Sequence, residues 1–325
     1  MRDRSAAGSR TPASPLGLWG MRGFYLLYYA AMAALLPFLT LYYQECGLSG
    51  SQIGLLAAIP PVLVVLAAAA WGALADRSGR HRLVLAVAIA GTAVCAVALG
   101  QLRTFVLLVP AVLGLALFMS PIPSLADNAV LELLADQPER YGRVRLWGAI
   151  GWGVCAPLAG GLVERAGLGS AFWVFAAMMG GLLLVALGAV RPPGGGGRTD
   201  RGGLLRLVRQ PGWAYFVAVA FVGGCGMGFA HHYLFLYMQA VGASRTSMGL
   251  ALSVATVSEL VLFYLTDRLI GRWGVRRVLF AGMVVSGIRL LLYATTEDTR
   301  LILAIQLLHG PAFAMVWTAG VACAS

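Results

Sequence analysis

Long apolar runs separated by short polar segments make up most of the sequence. A run must hold about 20 apolar residues to cross a hydrocarbon core of about 30 Å as an α-helix. Runs close to that length, several of them containing one or two ionisable residues, lie at 24–43, 53–75, 83–102, 104–126, 146–163, 166–190, 211–238, 246–266, 278–296 and 301–325. The pattern therefore predicts an all-α polytopic membrane protein with ten spans.

The sequence repeats itself at an offset of 195 residues. LYYQECGLSGSQIGL at 41–55 matches LYMQAVGASRTSMGL at 236–250, and the match continues beyond the next apolar run. There, Asp76-Arg77-x-Gly79-Arg80 recurs as Asp267-Arg268-x-x-Gly271-Arg272. Both copies enter the membrane in the same direction, so the pattern indicates the parallel internal duplication that is typical of secondary transporters.

A polar segment divides the two copies. Residues 191–210 combine two prolines, four consecutive glycines and five arginines. This composition predicts a flexible cytoplasmic linker between an N-terminal bundle at 1–190 and a partial C-terminal bundle of four spans at 211–325. The glycine run is not followed by a Gly-Lys-Ser/Thr motif, which argues against a phosphate-binding loop.

Composition and charge exclude several classes of protein. The chain is 59% apolar and 11% charged, with a mean hydropathy of +0.81, which excludes an ordinary soluble globule. All 24 basic residues are arginines, and 18 of them precede the first span or lie in alternate loops. This asymmetry predicts a multi-pass protein of the cytoplasmic (inner) membrane with a cytoplasmic N-terminus. Since the basic clusters alternate with spans, we expect contact with the lipid bilayer and no nucleic acid partner.

Motifs for catalysis or metal binding are missing from the sequence. The five cysteines are scattered without metal-ligand spacing, and His-Glu-x-x-His and Gly-x-Ser-x-Gly do not occur. We therefore expect no metal, no cofactor and no enzymatic activity.

One loop carries a family resemblance. The segment Gly72-Ala-Leu-Ala-Asp76-Arg77-Ser-Gly79-Arg80-His81-Arg82 closely resembles the signature loop between helices two and three of the major facilitator superfamily, and Asp267 to Arg277 resembles its counterpart between helices eight and nine. A tight turn at Gly79 and close helix approach at Gly72 are expected. The resemblance implies a conformation-dependent cytoplasmic gate that contains Gly72, Asp76, Arg77, Gly79, Arg80, Asp267 and Arg268. The alternative is that these arginines only fix the topology.

Further segments narrow the resemblance. Tyr141-Gly-Arg-Val-Arg-Leu-Trp-Gly-Ala-Ile-Gly151, Ser120-Pro-Ile-Pro-Ser-Leu-Ala-Asp127 and Glu259 ahead of Leu265-Thr-Asp-Arg-Leu resemble the phenylpropionate-permease-like group, which is also similar to nucleoside-proton symporters. Members of the superfamily have twelve helices in two bundles of six, whereas this sequence stops inside its tenth span at Ser325. We therefore expect an incomplete second bundle. The sequence is then either a fragment, or a ten-span or degraded protein whose gate lacks its partner helix.

Ionisable residues within spans are candidate functional groups, because burying them in hydrocarbon is costly. Glu259, near mid-membrane, is the expected proton carrier, and Arg289 the partner of either an anionic substrate or Glu259. A Glu259–Arg289 pair that merely joins two helices is the alternative. Successive helical residues turn by about 100°, so only one of His231 and His232 can face a cavity; we select His232. His309 is expected to line the same cavity, unless it is a helix contact.

Other polar and small residues suggest gates and close packing. Asp127, at the end of the fourth span, is expected to form a cytoplasmic gate ion pair with Arg143 or Arg145. Glycines of the fifth span should let helices pack closely, and prolines should bend several spans. These residues are Gly148, Gly151, Gly153, Gly160 and Gly161, and Pro37, Pro60, Pro61, Pro121, Pro123 and Pro311.

Together these features predict a secondary active transporter that works by alternating access. The expected reaction is proton symport of a small organic solute, for example an aromatic acid, by a monomer whose partners are that solute and protons. An efflux pump of the same superfamily and a non-transporting relative remain the alternatives.

Overall fold

The computed structural model describes residues 15–134, 137, 140–189 and 213–324, and every regular element in these ranges is a helix. The predicted linker at 191–210 lies outside them. The described helices are α1 (Pro15–Leu35, a 3-10 turn Leu36–Phe38, and Leu39–Glu45), α2 (Gly50–Ser78), α3 (His81–Leu99), α4 (Phe105–Met119 and Pro121–Leu133), α5 (Tyr141–Ala166), α6 (Gly169–Ala189), α7 (Trp213–Ala240), α8 (Arg245–Trp273), α9 (Val275–Thr295) and α10 (Thr299–Ile305, a 3-10 turn Gln306–Leu308, and His309–Ala324).

The predicted all-α membrane fold is confirmed. Within the described residues, nine helices are long and apolar enough to cross a membrane, and they coincide with predicted spans one to six and eight to ten. Helix α7, with 28 residues, occupies the seventh predicted span. Hydropathy was sufficient to locate the spans. In lipid, the backbone must satisfy its hydrogen bonds within each helix, so each span is one apolar helical run.

Three of the helices are broken, each close to a proline. The turn in α1 contains Pro37, and α4 is interrupted at Ser120, directly before Pro121. In α10 the 3-10 turn ends three residues before Pro311. A proline has no amide hydrogen to donate to the preceding turn, so the α-helical ladder loses a bond there. In contrast, α2 continues as one helix through Pro60 and Pro61.

The duplication in the sequence is visible in the backbone. Gly47 and Gly242, 195 residues apart, have φ values of 76° and 78° and end α1 and α7. Two residues later, Ser49 and Ser244 cap the next helix, because each hydroxyl oxygen accepts a bond from the backbone N–H three residues on. Equivalent turns therefore follow the first helix of each copy.

The second pair of turns corrects the sequence pairing. Gly79 has φ 62° and ends α2, and the matching residue 195 positions later is Gly274, with φ 80°. Gly271, which the motif alignment had paired with Gly79, lies inside α8. In the motif, Asp267 and Gly271 follow Asp76 and Gly79 by 191 and 192 residues, three or four fewer than the 195 residues that separate the turns.

The two ends of the molecule can be told apart by these turns. The Gly47 end holds the loops at 46–49, 100–104, 167–168, 241–244 and 296–298, and the Gly79 end holds those at 79–80 and 274. At the Gly47 end, Tyr42 Oη donates to the carbonyl of Leu102 at 2.6 Å, and Tyr237 Oη donates to the carbonyl of Thr296. In each copy, a tyrosine thus fastens the first helix to the end of the third.

Helix α1 is the most buried span and α2 one of the least. Helix α1 packs against α5 and α6 within the N-terminal half (α1–α6), and α8, α9 and α10 pack together in the C-terminal half (α7–α10). The halves meet mainly along α5 and α8.

Candidate functional site between the two halves

Glycines bring α5 and α8 into backbone contact towards the Gly47 end. A Cβ atom at Gly160 would lie 2.3 Å from the carbonyl oxygen of Arg245, and one at Gly249 would lie 2.3 Å from that of Ala156. Real Cβ atoms do not approach oxygen so closely, so both positions require glycine in this conformation. Close packing by glycines of the fifth span was predicted from the sequence, and Gly160 makes such a contact between the halves.

A carboxylate at the end of α5 also stabilises the contact between α5 and α8. Glu164 Oε2, at the end of α5, accepts a hydrogen bond from the backbone N–H of Thr246 at 3.1 Å and another from Thr246 Oγ1 at 2.5 Å. Thr246 lies in the first turn of α8, where backbone N–H groups have no partner within the helix. A side chain of one half thus caps a helix of the other.

The α5–α8 contact extends towards the middle of the molecule. Ser253 Oγ donates to the carbonyl of Gly153 at 2.6 Å, and a Cβ at Gly153 would lie 3.3 Å from Thr256. Further towards the Gly79 end, Gly151 and Gly148 face their own half, against Leu26 and Tyr29. The contacts just described therefore join the halves from the Gly47 end to about mid-depth.

Glu259 lies on α8 just beyond this contact, towards the Gly79 end. It lies 14 residues after Arg245 in α8, or about 21 Å along the helix. Taking the direction of Thr256 as zero, the helical rotation of about 100° per residue puts Glu259 at about −60°. The same rotation puts the exposed residues Val257, Val261 and Tyr264 at about 80–140°. Glu259 therefore faces away from the exposed side of α8 and towards α10.

His309 of α10 is the nearest ionisable partner of Glu259. Its Nε2 lies 3.7 Å from Glu259 Oε2, longer than a direct hydrogen bond, and the two side chains are 26% and 28% exposed. The imidazole stacks on Phe313 at 5.6 Å, and Phe313 meets Phe263 of α8 edge to face at 6.1 Å. The structure thus brings together two residues that the sequence analysis had selected independently.

Arg289 of α9 has different partners from those expected. Its Nε donates to Tyr293 Oη at 3.0 Å, its Nη2 donates to Gln306 Oε1 at 2.8 Å, and Gln306 Nε2 donates to the same tyrosine oxygen at 2.8 Å. Arg289 is 7% exposed. The ion pairs of the described residues do not include Glu259 with Arg289, so the buried charge of Arg289 is held by neutral groups in this conformation.

Of the two adjacent histidines, the structure turns His231 rather than the selected His232 towards the other half. The His231 ring stacks on Trp152 of α5, with centroids 6.3 Å apart, and interacts electrostatically with His309 and Arg289. His232 meets His231 edge to face at 5.4 Å. Rotation about the axis of α7 decides between the two, and the sequence contains no signal for it.

A second polar cluster lies within the N-terminal half. Arg145 Nη1 donates to Asp127 Oδ1 at 3.1 Å, Arg145 Nη2 donates to Tyr29 Oη at 2.8 Å, and Tyr25 Oη donates to Asp127. The guanidinium also lies over the rings of Tyr25 and Tyr29, 5.6 and 5.5 Å from their centroids. Arg143 is exposed on the same helix. The expected pairing of Asp127 is therefore made by Arg145.

The residues of the signature loop are largely exposed. Asp76, Arg77 and Arg80 are exposed, and Asp76 Oδ1 lies 3.0 Å from His81 Nε2. A Cβ at Gly72 would meet no atom within 4 Å, so the close helix approach expected there is not made. In the second copy, the exposed Arg268 donates to Tyr264 Oη at 3.4 Å; the Asp267 side chain lies outside the described part of the structure.

The side chains that the structure describes include no group of three or more histidine, cysteine or acidic residues placed to hold a metal ion. Polar groups of the described membrane spans in this region include the Glu259–His309 pair, Arg289 and His231.

Known proteins are similar to this chain in sequence and in fold. A maltose permease from Geobacillus stearothermophilus is 31% identical over 278 residues, which cover 83% of this chain and 69% of the permease. A probable 3-phenylpropionic acid transporter from Escherichia coli strain K12 is 26% identical over 292 residues, covering 88% and 76%. The crystal structure of the nucleoside transporter NupG matches with a TM-score of 0.82 at 18% identity, covering 95% of this chain and 82% of that one.

The family follows from the sequence as well as from the fold. The model of the MFS_1 like family matches residues 18–325, nearly the whole sequence. The fold match to NupG and the permease relatives agree with it. The chain therefore belongs to the MFS_1 like family and is a membrane transporter of the major facilitator superfamily, not an enzyme.

Proposed function

We propose that this transporter carries a small organic solute across the cytoplasmic membrane by proton symport. The observation that carries this proposal is the Glu259–His309 pair, two titratable groups 3.7 Å apart within membrane spans and partly exposed. Ionisable side chains at such depth are expensive and commonly serve proton or substrate pathways. A carboxylate beside an imidazole can take up a proton and release it again as the surroundings of the pair change.

Alternating access is the mechanism that the contacts between the halves support. Gly160 and Gly249 allow α5 and α8 to close at the Gly47 end, and the contact consists of small residues and a few hydrogen bonds that can be broken. The arginine distribution favours a cytoplasmic Gly79 end. On that orientation the structure corresponds to a state closed towards the outside, and solute would enter once α5 and α8 separate.

The charge and shape of the candidate site favour a ring-bearing anion as solute. The Arg289 guanidinium is held by two neutral side chains and can pair with a carboxylate, for which its planar fork is suited. Trp152 and Phe313 offer aromatic surface near His231 and His309, on which a ring can stack. Since curated relatives are named for maltose and for 3-phenylpropionic acid, both solutes belong in the test.

Purified full-length protein in liposomes is expected to accumulate 3-phenylpropionate when the lumen is more alkaline than the medium. The carrier binds a proton and the solute outside and releases the proton and the solute inside, so a proton gradient drives net uptake. Uptake of labelled 3-phenylpropionate, maltose and uridine is measured with and without a protonophore. Accumulation that exceeds that of protein-free liposomes and collapses with the protonophore supports symport. Proton-driven extrusion of these solutes would instead establish the efflux alternative, and uptake indifferent to the gradient would reject proton coupling.

Arg289→Gln is expected to raise the KM for an anionic solute by about 10- to 100-fold, because a hydrogen bond to a charged group contributes about 1.5–3 kcal/mol. Tyr293→Phe is the matched control, since it removes a hydroxyl of the same triad and leaves the charge in place. Its KM should change less than about fivefold, as expected for a neutral hydrogen bond of about 1 kcal/mol or less. Equal effects of the two variants would show that Arg289 only joins α9 to α10.

A further inference from the structure

The broken turn of α10 is completed by a side chain of α8. Pro311 has no amide hydrogen, so the carbonyl of Leu307, four residues earlier, loses its helical donor. Ser258 Oγ donates to that carbonyl at 2.5 Å. The same oxygen accepts a hydrogen bond from the backbone N–H of Gly310 at 3.1 Å. One hydroxyl thus satisfies a donor and an acceptor that the 3-10 turn leaves free.

The two helices also touch at this point. A Cβ atom at Gly310 would lie 2.3 Å from the carbonyl oxygen of Ser258 and 2.4 Å from Ser258 Oγ. Ser258 is 7% exposed. Because Gly310 lacks a side chain, the backbone of α10 can rest on α8, and the serine is shielded from competing water. The contact therefore fixes both the distance between α8 and α10 and the position of one helix along the other.

This contact lies next to the proposed proton carrier. Ser258 is adjacent in sequence to Glu259, and Gly310 is adjacent to His309. Fixing Ser258 against the Leu307–Gly310 turn therefore sets the separation of the carboxylate and the imidazole. The turn also begins with Gln306, which holds the guanidinium of Arg289. A movement of this turn would therefore displace both His309 and Gln306, the hydrogen-bond partner of Arg289.

We propose that Ser258 is a positioning residue for proton coupling, which fixes the broken turn of α10 so that His309 stays opposite Glu259. This inference rests on the proposed function, in which Glu259 carries the proton. Among the charged or titratable groups that the structure describes, His231 on α7 interacts electrostatically with His309, and it also interacts with Arg289 on α9 and with His232. Helix α5 contributes none, because the stretch between Arg145 and Glu164 contains no ionisable side chain apart from Cys155.

The test compares Ser258→Ala with Ser258→Thr, which keeps the hydroxyl. In proteoliposomes, Ser258→Ala, which removes both hydrogen bonds, is expected to shift the pH midpoint of 3-phenylpropionate uptake by about one unit. Exchange of internal for external solute, which needs no net proton transfer, should remain within about threefold of wild type. Ser258→Thr should restore the wild-type pH profile.

Thr266→Val is the control on the same helix. The Thr266 hydroxyl is buried and donates only within α8, to the carbonyl of Leu262 at 2.5 Å, so its removal should leave the pH profile unchanged. A wild-type profile in Ser258→Ala would overturn the inference, as would equal shifts in the alanine and threonine variants. If Glu259→Gln still accumulates solute, the proposed function fails; if only Ser258→Ala behaves as wild type, the role of Ser258 fails alone.

Discussion

Glu259→Gln is expected to abolish proton-driven accumulation of solute while exchange of solute across the membrane continues. Glutamine has nearly the shape of protonated glutamate and can still approach His309, but it cannot release a proton. A carrier fixed in the protonated form can still move between its two conformations with solute bound. It cannot release a proton inside and then return without solute, so the proton gradient no longer drives net uptake. Accumulation driven by a pH gradient should fall by about 100-fold or more, which corresponds to about 2.7 kcal/mol of lost coupling.

The measurement uses two assays on the same proteoliposomes, uptake driven by a pH gradient and exchange at equal pH. Glu164→Gln is the control, because it neutralises another carboxylate between the halves that lies at the Gly47 end and away from His309. This variant should keep its proton coupling even if its turnover changes. Wild-type accumulation by Glu259→Gln would remove Glu259 from the proton path, and loss of both activities would indicate a structural role.

The positions of the helices could be predicted from the sequence because hydropathy depends on the sequence locally. A lipid-exposed span must be apolar over its whole length, whatever its neighbours are. The same holds for the turns of the repeat, where Gly47 and Gly242 must adopt positive φ. The motif pairing of Gly79 with Gly271 was wrong for the second turn, because the Asp-Arg motif of the second copy lies three or four residues before the position that an offset of 195 gives.

The rotation of each helix and the partners of its side chains could not be predicted in the same way. His231 and His232 are the same residue type at adjacent positions, and only the rotation of α7 about its axis brings His231 to Trp152. Arg289 was expected to meet an acid, yet the break in α10 places Gln306 beside it. Long-range contacts of this kind depend on where neighbouring helices bend, which a single sequence does not encode locally.

The contacts of Gly160 likewise could not be predicted from the sequence. They provide a direct test of alternating access. Gly160 and Gly161 are neighbours in a glycine-rich span, and the sequence gives no reason to rank them. In the structure a Cβ at Gly160 would collide with the Arg245 carbonyl at 2.3 Å, whereas a Cβ at Gly161 would meet only Thr246 Oγ1 at 3.7 Å, an ordinary contact. If closure of α5 on α8 is a step of the cycle, only the first position should be sensitive.

Gly160→Ala is therefore expected to lower the turnover of solute uptake by roughly 5- to 150-fold, since overpacking of this kind costs about 1–3 kcal/mol. Gly161→Ala should remain close to wild type. Equal turnover of the two glycine variants would mean that this contact is not opened and closed during transport.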